Sequence, residues 1–480
     1  MARPEASFSG PEVCRWSARQ AVAALKAGEV TPGDLLDAAL ARIETVDPAV
    51  NAVVIRAEER ARAAVAAVSE RDAQDHRGWL AGLPIGVKDL IAVAGLRATG
   101  GTPALADNVP DTSDPLIERL EARGAVITGK TNTPQFGAGA NTFNALFGET
   151  RNPWDTRKNA GGSSGGAAVS LATGQVWLSH GSDLAGSLRT PAALCGVVGF
   201  RPSPGRVGGA PVDTAFALEA VQGPMARDVG DTALFLDAMV GADPRHPLSL
   251  EEPAEGYQAA LARNPGPIRV AFSEDQGGLA PVEPEIRAVL RGAMAAVEGD
   301  GLTVAEACPA LPGLEEAYVT LRGIHYGAVL ARMPDHIQAE FKATLAGNVK
   351  TALALTAEQI FDATRVRSQL YHAMRVFLEG FDVLAIPVVG IAAGPVEEEY
   401  PLAVDGVPTA DYIDWLRFSF LASTTALPAL SLPAGFTAAG LPVGLQLVGP
   451  PRGEARLLQV ARAIEERLGL PSTPIDPITR

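Results

Sequence analysis

Apolar positions follow two different periods along this chain. In the first seventy residues they recur at helical spacing: Leu35, Leu36, Ala39, Leu40 and Ile43 form one stripe. Thr31-Pro32-Gly33-Asp34 precedes it, with a hydroxyl for the N-cap, a proline for the first helical position and an acid in the first turn. The pattern predicts a helix that stops at Asp47-Pro48 and another over 57–68. From residue 83 onward short apolar runs alternate with helical stretches. Strands are expected over 83–89, 125–130, 175–179, 268–272, 382–387, 429–433 and 443–448. Helices are expected from Ser113-Asp114 to Leu120 and over 167–173, 229–240, 284–298, 314–326, 358–378 and 454–468. No repeat, low-complexity tract or linker interrupts the alternation, which points to one large α/β domain with helical excursions.

The period breaks most sharply between Lys158 and Arg206. Gly161-Gly162-Ser163-Ser164-Gly165-Gly166 and Asp183-Leu184-Ala185-Gly186-Ser187-Leu188-Arg189 flank one short apolar segment. Glycine at this density is kept where the backbone takes unusual dihedrals or comes close to a ligand. Two such turns around one short helix describe a site built largely from main-chain groups. Arg189 is placed to pair with a carboxylate such as Asp183. Upstream, Lys88 lies in an apolar strand beside Asp89; a buried lysine is either an ion-paired structural residue or a base. Bringing its pKa from ~10.4 to near neutrality takes roughly 4 kcal/mol of bias against the cation. A hydroxyl-rich pocket with few carboxylates supplies that bias.

Composition narrows the class. The 480 residues carry a net charge of −15, which argues against a surface for nucleic acid or an anionic membrane. Cys14, Cys195 and Cys308 are too few and scattered for a disulfide framework, and no Cys/His spacing fits a metal site. MARPEASFSGPEVCRW lacks the apolar core of a signal peptide, and no apolar run reaches the ~18 residues of a membrane span. A cytoplasmic protein without metal or cofactor is expected.

Gly86-Val87-Lys88-Asp89 together with the two serine turns resembles the amidase signature family of serine hydrolases, from about residue 10 to about residue 465 and more weakly over 240–380. The resemblance implies that fold, a large mixed central sheet covered by helices on both faces, in a single domain over 1–480. Its parts would be N-terminal helices (about 1–70), a catalytic core (about 83–230), a variable substrate-pocket region (about 240–420) and a C-terminal return to the core (about 428–470). It also implies roles. Lys88 falls on the family's lysine, Ser163 on its bridging serine in a cis peptide (here Gly162-Ser163) and Ser187 on its nucleophile, 24 residues after Ser163. Neutral Lys88 would take a proton from Ser163, and Ser163 one from Ser187; Ser187 would form an acyl-enzyme that water then opens by the same route. The amides of Leu184, Ala185, Gly186 and Ser187 would converge on the oxyanion. In the family, the segment containing Gly137, Ala138, Gly139 and Ala140 walls the substrate pocket, and such small residues leave room for a bulky group. Tyr371 and Trp415 are taken as pocket aromatics, from a set that includes Tyr326, Tyr400, Tyr412 and Phe418.

There are departures. Ala185 stands where many members have glycine, and Ser423 and Ala426 replace an asparagine and a glycine common in the family. The helical signature of the amidotransferase's catalytic component is absent from 350–380, where Tyr371-His372-Ala373-Met374-Arg375 stands. The expected activity is cleavage of a C–N bond in a bulky, uncharged amide, anilide or carbamate, as an aryl acylamidase or urethanase does. The partner is that small molecule, with a homodimer left open. Two alternatives stand beside it. One is the catalytic component of a glutamyl-tRNA amidotransferase-like complex. The other is an esterase reading Gly161-Gly162-Ser163-Ser164-Gly165 as a G-x-S-x-G elbow with a histidine such as His180. The elbow needs an apolar strand just upstream, and Trp154 to Ala160 is not one. A phosphate-binding reading fails because Gly129-Lys130-Thr131 lacks the preceding glycine of a P-loop.

Overall fold

The first helix starts where its capping signals place it. In the computed structural model, which describes residues 6–69, 77–209 and 214–479, the Thr31 hydroxyl accepts the Asp34 amide at 3.1 Å and Pro32 opens the helix Pro32–Val50. The first five residues of the stretch read for a leader lie outside the described residues. Asp47-Pro48 does not end the helix as expected. A proline in the last turn removes a single amide, and the Asp47 carboxylate collects the next free ones, accepting Ala52 N at 2.8 Å and Val53 N at 3.0 Å. The chain leaves the helix instead at Asn51, in the left-handed conformation.

Eleven strands make one sheet among the described residues: β1 Val53–Arg56, β2 Pro84–Lys88, β3 Val126–Thr131, β4 Leu178–Asp183, β5 Val198–Arg201, β6 Val221–Ala226, β7 Ile268–Phe272, β8 Leu302–Glu306, β9 Val383–Pro387, β10 Ala429–Phe436 and β11 Pro442–Val448. Their order is β1-β3-β2-β4-β6-β5-β10-β11-β9-β7-β8. The β3-β2-β4 and β9-β7-β8 blocks are parallel and the pairs between them antiparallel, so the sheet is mixed. One strand differs from expectation: β4 covers 178–183 rather than 175–179, so it carries His180 and Ser182 and ends on Asp183.

Side chains alternate onto two apolar layers, as strands buried on both faces require. On β9, Val383 and Ala385 join Leu430, Leu432, Leu445 and Leu447 under the helices Val229–Met239, Pro284–Val297 and Glu454–Leu468, while Leu384 and Ile386 face the other way. The opposite layer holds Gly165–Ala172 and Arg189–Cys195, the two short helices that follow the serine turns. Among the described residues no helix is long and apolar enough to cross a membrane.

Ala426 carries a local strain. It caps the helix Phe420–Thr425 at φ 58°, ψ 24°, a left-handed conformation that costs an alanine roughly 1–2 kcal/mol. Ala426→Gly is therefore expected to stabilise the protein by about 1 kcal/mol after the entropy of the freer unfolded chain is subtracted, as read from a higher urea midpoint at unchanged m-value.

Candidate active site

β2 delivers Lys88 at its C-terminal end, between β3 and β4. The side chain is fully buried, and its ammonium donates to three hydroxyls: Ser163 Oγ at 2.6 Å, Ser164 Oγ at 3.0 Å and Ser182 Oγ at 3.0 Å. No carboxylate bonds it among the described residues. Burial without a counter-ion lowers its pKa to about 7, against an upward pull from the charge of Asp183. The structural, ion-paired lysine of this region is a different one. Lys130, on the neighbouring strand, lies 3.6 Å from Asp89 and donates to Ile91 O.

The first serine turn is held by Thr142, whose hydroxyl donates to Gly161 O at 2.8 Å and accepts the Gly165 amide at 3.1 Å. The Gly162-Ser163 peptide is cis. Ser164 begins the helix Gly165–Ala172 and packs on Gly181, where a Cβ would come within 2.9 Å of the Ser164 hydroxyl. Ser164 also donates its amide to Ser187 O at 3.2 Å, tying the two turns together.

The second turn is built around Asp183. Its carboxylate takes two bonds from Arg189, at 3.1 and 2.9 Å, and one from Arg201 at 2.9 Å. All three side chains are fully buried. Burial alone would raise the Asp183 carboxyl, but the two guanidiniums and the backbone donors outweigh it and hold it well below the usual carboxylate range. The same carboxylate accepts Gly186 N at 3.0 Å and Leu188 N at 3.2 Å. This corrects one expectation: the Gly186 amide is already committed. The amides of Leu184, Ala185 and Ser187 donate to nothing among the described residues and remain for an oxyanion. Gly186 has another task, with φ +85° and no room for a Cβ beside Ser419 at 2.9 Å. Ala185 does not take a positive φ, so alanine fits there without strain.

Ser187, Ser163, Ser182 and Asp183 line one cavity of about 500 Å³. Ile91, Leu105, Phe136, Leu184, Leu330 and Met333 make its walls largely apolar. Of the expected substrate contacts, Gly137 is in this wall, close enough that a Cβ would stand 3.4 Å from Ser163 Oγ. The others are not. Ala138 is buried against Tyr326, Leu330 and Leu345. Gly139 faces Lys342 and Pro134. Tyr371 packs edge-on against His372 at the border of a core cluster, and Trp415 is buried in that same core, because helical periodicity places both toward apolar neighbours. Tyr326 is the aromatic of the candidate set that reaches the cavity. Sequence reasoning misses Ser164 and Ser182 as partners of Lys88. A strand that runs to Asp183 would be the signal, since it carries Ser182 to the site.

Neither histidine near the site bonds a serine hydroxyl among the described residues. His180 Nε2 meets Gln222 Oε1 at 2.7 Å, and burial pulls its pKa down to about 3. His325, in the cavity wall, is pulled to about 4 by burial and by Arg322. The residues upstream of Ser163 do form a strand, Asp155–Asn159, but a polar one paired only in a two-stranded ribbon.

A family model described as "Amidase" matches residues 34–458. The chain is 37% identical to the catalytic-type A component of the glutamyl-tRNA(Gln) amidotransferase of Anaeromyxobacter dehalogenans, over 98% of this chain and 99% of that one. It is 35% identical to an acylamidase of Rhodococcus erythropolis, over 94% of both. Its fold is similar to the crystal structure of a bacterial aryl acylamidase of the amidase signature family, with a TM-score of 0.87 at 28% identity over 94% of this chain and 96% of that one.

The environment of Lys88 has a consequence for stability. Its folded pKa of about 7 lies below the ordinary 10.5, so the unfolded chain binds the extra proton between those values. The cost of burying the cation is carried in full below pH 7 and is relieved as pH rises toward 10.5, at up to about 1.4 kcal/mol per pH unit. Lys88→Met is expected to remove this rise, seen as a flatter difference between variant and wild-type urea stability over that range.

Proposed function

The chain belongs to the amidase signature family and is an amide hydrolase; from that premise we propose that Ser187 is its nucleophile, Ser163 the bridge and Lys88 the base. The observation that carries this reading is a buried lysine without a carboxylate partner, surrounded by three hydroxyls at 2.6 to 3.0 Å. An ammonium donates to all three. A neutral amine keeps two N–H groups, for Ser164 and Ser182, and turns its lone pair to the Ser163 hydroxyl. Ser163 can then accept from Ser187 as Ser187 attacks the carbonyl. The free amides of Leu184, Ala185 and Ser187 are the candidate oxyanion donors, each worth roughly 3 to 4 kcal/mol of barrier. Return of the proton through Ser163 releases the amine, and water repeats the path on the acyl-enzyme.

The substrate we propose is bulky and without a carboxylate: an amide, anilide or aryl carbamate that fills the apolar walls. The amidotransferase reading draws on the 37% identical relative. Against it, none of the described residues lining the cavity is Arg or Lys. A glutamine carboxylate buried there would have no cation to meet.

The test uses one acyl group presented as a primary amide, a nitroanilide, an aryl carbamate and a nitrophenyl ester. Hydrolysis is expected to disappear in Ser187→Ala and to fall about 10²- to 10⁴-fold in Lys88→Ala and Ser163→Ala. Wild-type kcat/KM is expected to rise with pH around a midpoint near 7, where Lys88 loses its proton. Near-normal activity in Ser163→Ala would overturn the relay, and turnover surviving in Ser187→Ala would overturn the nucleophile.

A further inference from the structure

The apolar cavity has one polar corner that the hydrolysis above does not use. Asp114 and Gln222 both line it. Gln222 lies directly across from Ser182 in the β4/β6 register, with Cβ atoms of such a pair about 5 Å apart. The corner is therefore one strand away from the hydroxyls around Lys88. Gln222 cannot turn freely. His180 is held neutral by burial and donates Nε2–H to Gln222 Oε1, which leaves the Gln222 amide nitrogen to donate to Asp114 Oδ1 at 3.3 Å and Oδ2 at 3.2 Å. Space for the pair is kept by Gly209, at φ +105°, where a Cβ would stand 2.6 Å from Gln222 Nε2 and 2.7 Å from Asp114 Oδ1.

Asp114 also caps the helix Pro115–Ala122, its Oδ1 accepting Leu116 N at 2.9 Å. That role occupies one oxygen. Oδ2 accepts only from Gln222, so a lone pair remains on the cavity side. Asp114 forms no ion pair among the described residues, and Arg245, whose charge reaches it, is bonded to Asp243 and Glu118. Burial pushes the Asp114 carboxyl upward, as befits an acid with no counter-ion of its own. The other acid in the wall, Asp183, is neutralised by Arg189 and Arg201. Asp114 is thus an unbalanced acid at the edge of an apolar pocket.

Resting on the hydrolase reading above, we propose that Asp114 and Gln222 form a recognition point for a hydrogen-bond donor, foremost a primary ammonium, carried by the substrate at a distance from its scissile amide. The substrates this corner selects are amides of amino acids or diamines whose free amine is separated from the amide by an alkyl spacer. Carboxylated analogues are rejected by the same charge.

The experiment compares ω-aminoacyl nitroanilides of increasing chain length with partners in which methyl replaces the amine, and an equivalent series carrying the amine on the leaving side. At one length the amine is expected to raise kcat/KM at least 10-fold over its methyl partner. In Asp114→Asn, which keeps a capping oxygen, that ratio is expected to fall to near one. Asp114→Ser, also a competent cap, is the second variant. A ratio near one at every length in wild type, or an equal loss for both partners in Asp114→Asn with the ratio intact, would overturn the assignment and leave Asp114 as a helix cap. If neither series is turned over, the hydrolase reading fails separately, and calorimetric binding of hexylamine against hexanol to wild type and Asp114→Asn decides the corner on its own. Binding of both ligands alike would overturn it.

Discussion

An amine buried without a counter-ion is the constraint around which the rest of this site is arranged. Most buried lysines resemble Lys130, set against a carboxylate that keeps the charge in place. Lys88 is given hydroxyls, which solvate either protonation state and favour neither as strongly as a carboxylate would favour the cation. Asp183 marks how narrow the arrangement is. It is near enough to pull the Lys88 pKa upward, yet its charge is spent on Arg189 and Arg201. Remove either guanidinium and more of that field would fall on the lysine. The two arginines are therefore as much a part of the tuning of Lys88 as the burial itself.

The same carboxylate organises the second turn. By accepting the amides of Gly186 and Leu188 it fixes the backbone of the turn, and the amides it does not take are the ones left facing the cavity. An oxyanion site made this way needs no side chain to be positioned by packing; it needs one buried anion held by two cations. The polarity of the turn is set from behind, by Asp183, and exposed in front, at Ser187.

How much of this can be read in the residues depends on distance along the chain. The serine turns are legible because glycine, serine and their spacing are local properties, and the pairing of Arg189 with Asp183 spans six residues. The cap at Thr31 is legible for the same reason. Pro48 misleads because its effect depends on where in the helix it falls, and the start of β4 is hard to place because an apolar run does not say which of its residues meet a neighbouring strand. The cavity is the least legible part. Its wall is assembled from segments as far apart as Ile91, Phe136, Gln222 and Leu330, and nothing in the spacing of Tyr371 or Trp415 distinguishes an aromatic that faces a cavity from one that faces the core. Gly186 escapes at a finer scale, since only the folded turn reveals which amides are already taken.

The amide of Ser164 bonded to the carbonyl of Ser187 makes the two turns a single mechanical unit. A shift in either serine is transmitted to the other through one main-chain link, and through Thr142 and Asp183 to the backbones on both sides. The stretch from 142 to 201 is therefore a cassette: moved to another sheet it would have to travel whole, with its arginines and its glycines, because no single residue of it holds its position alone.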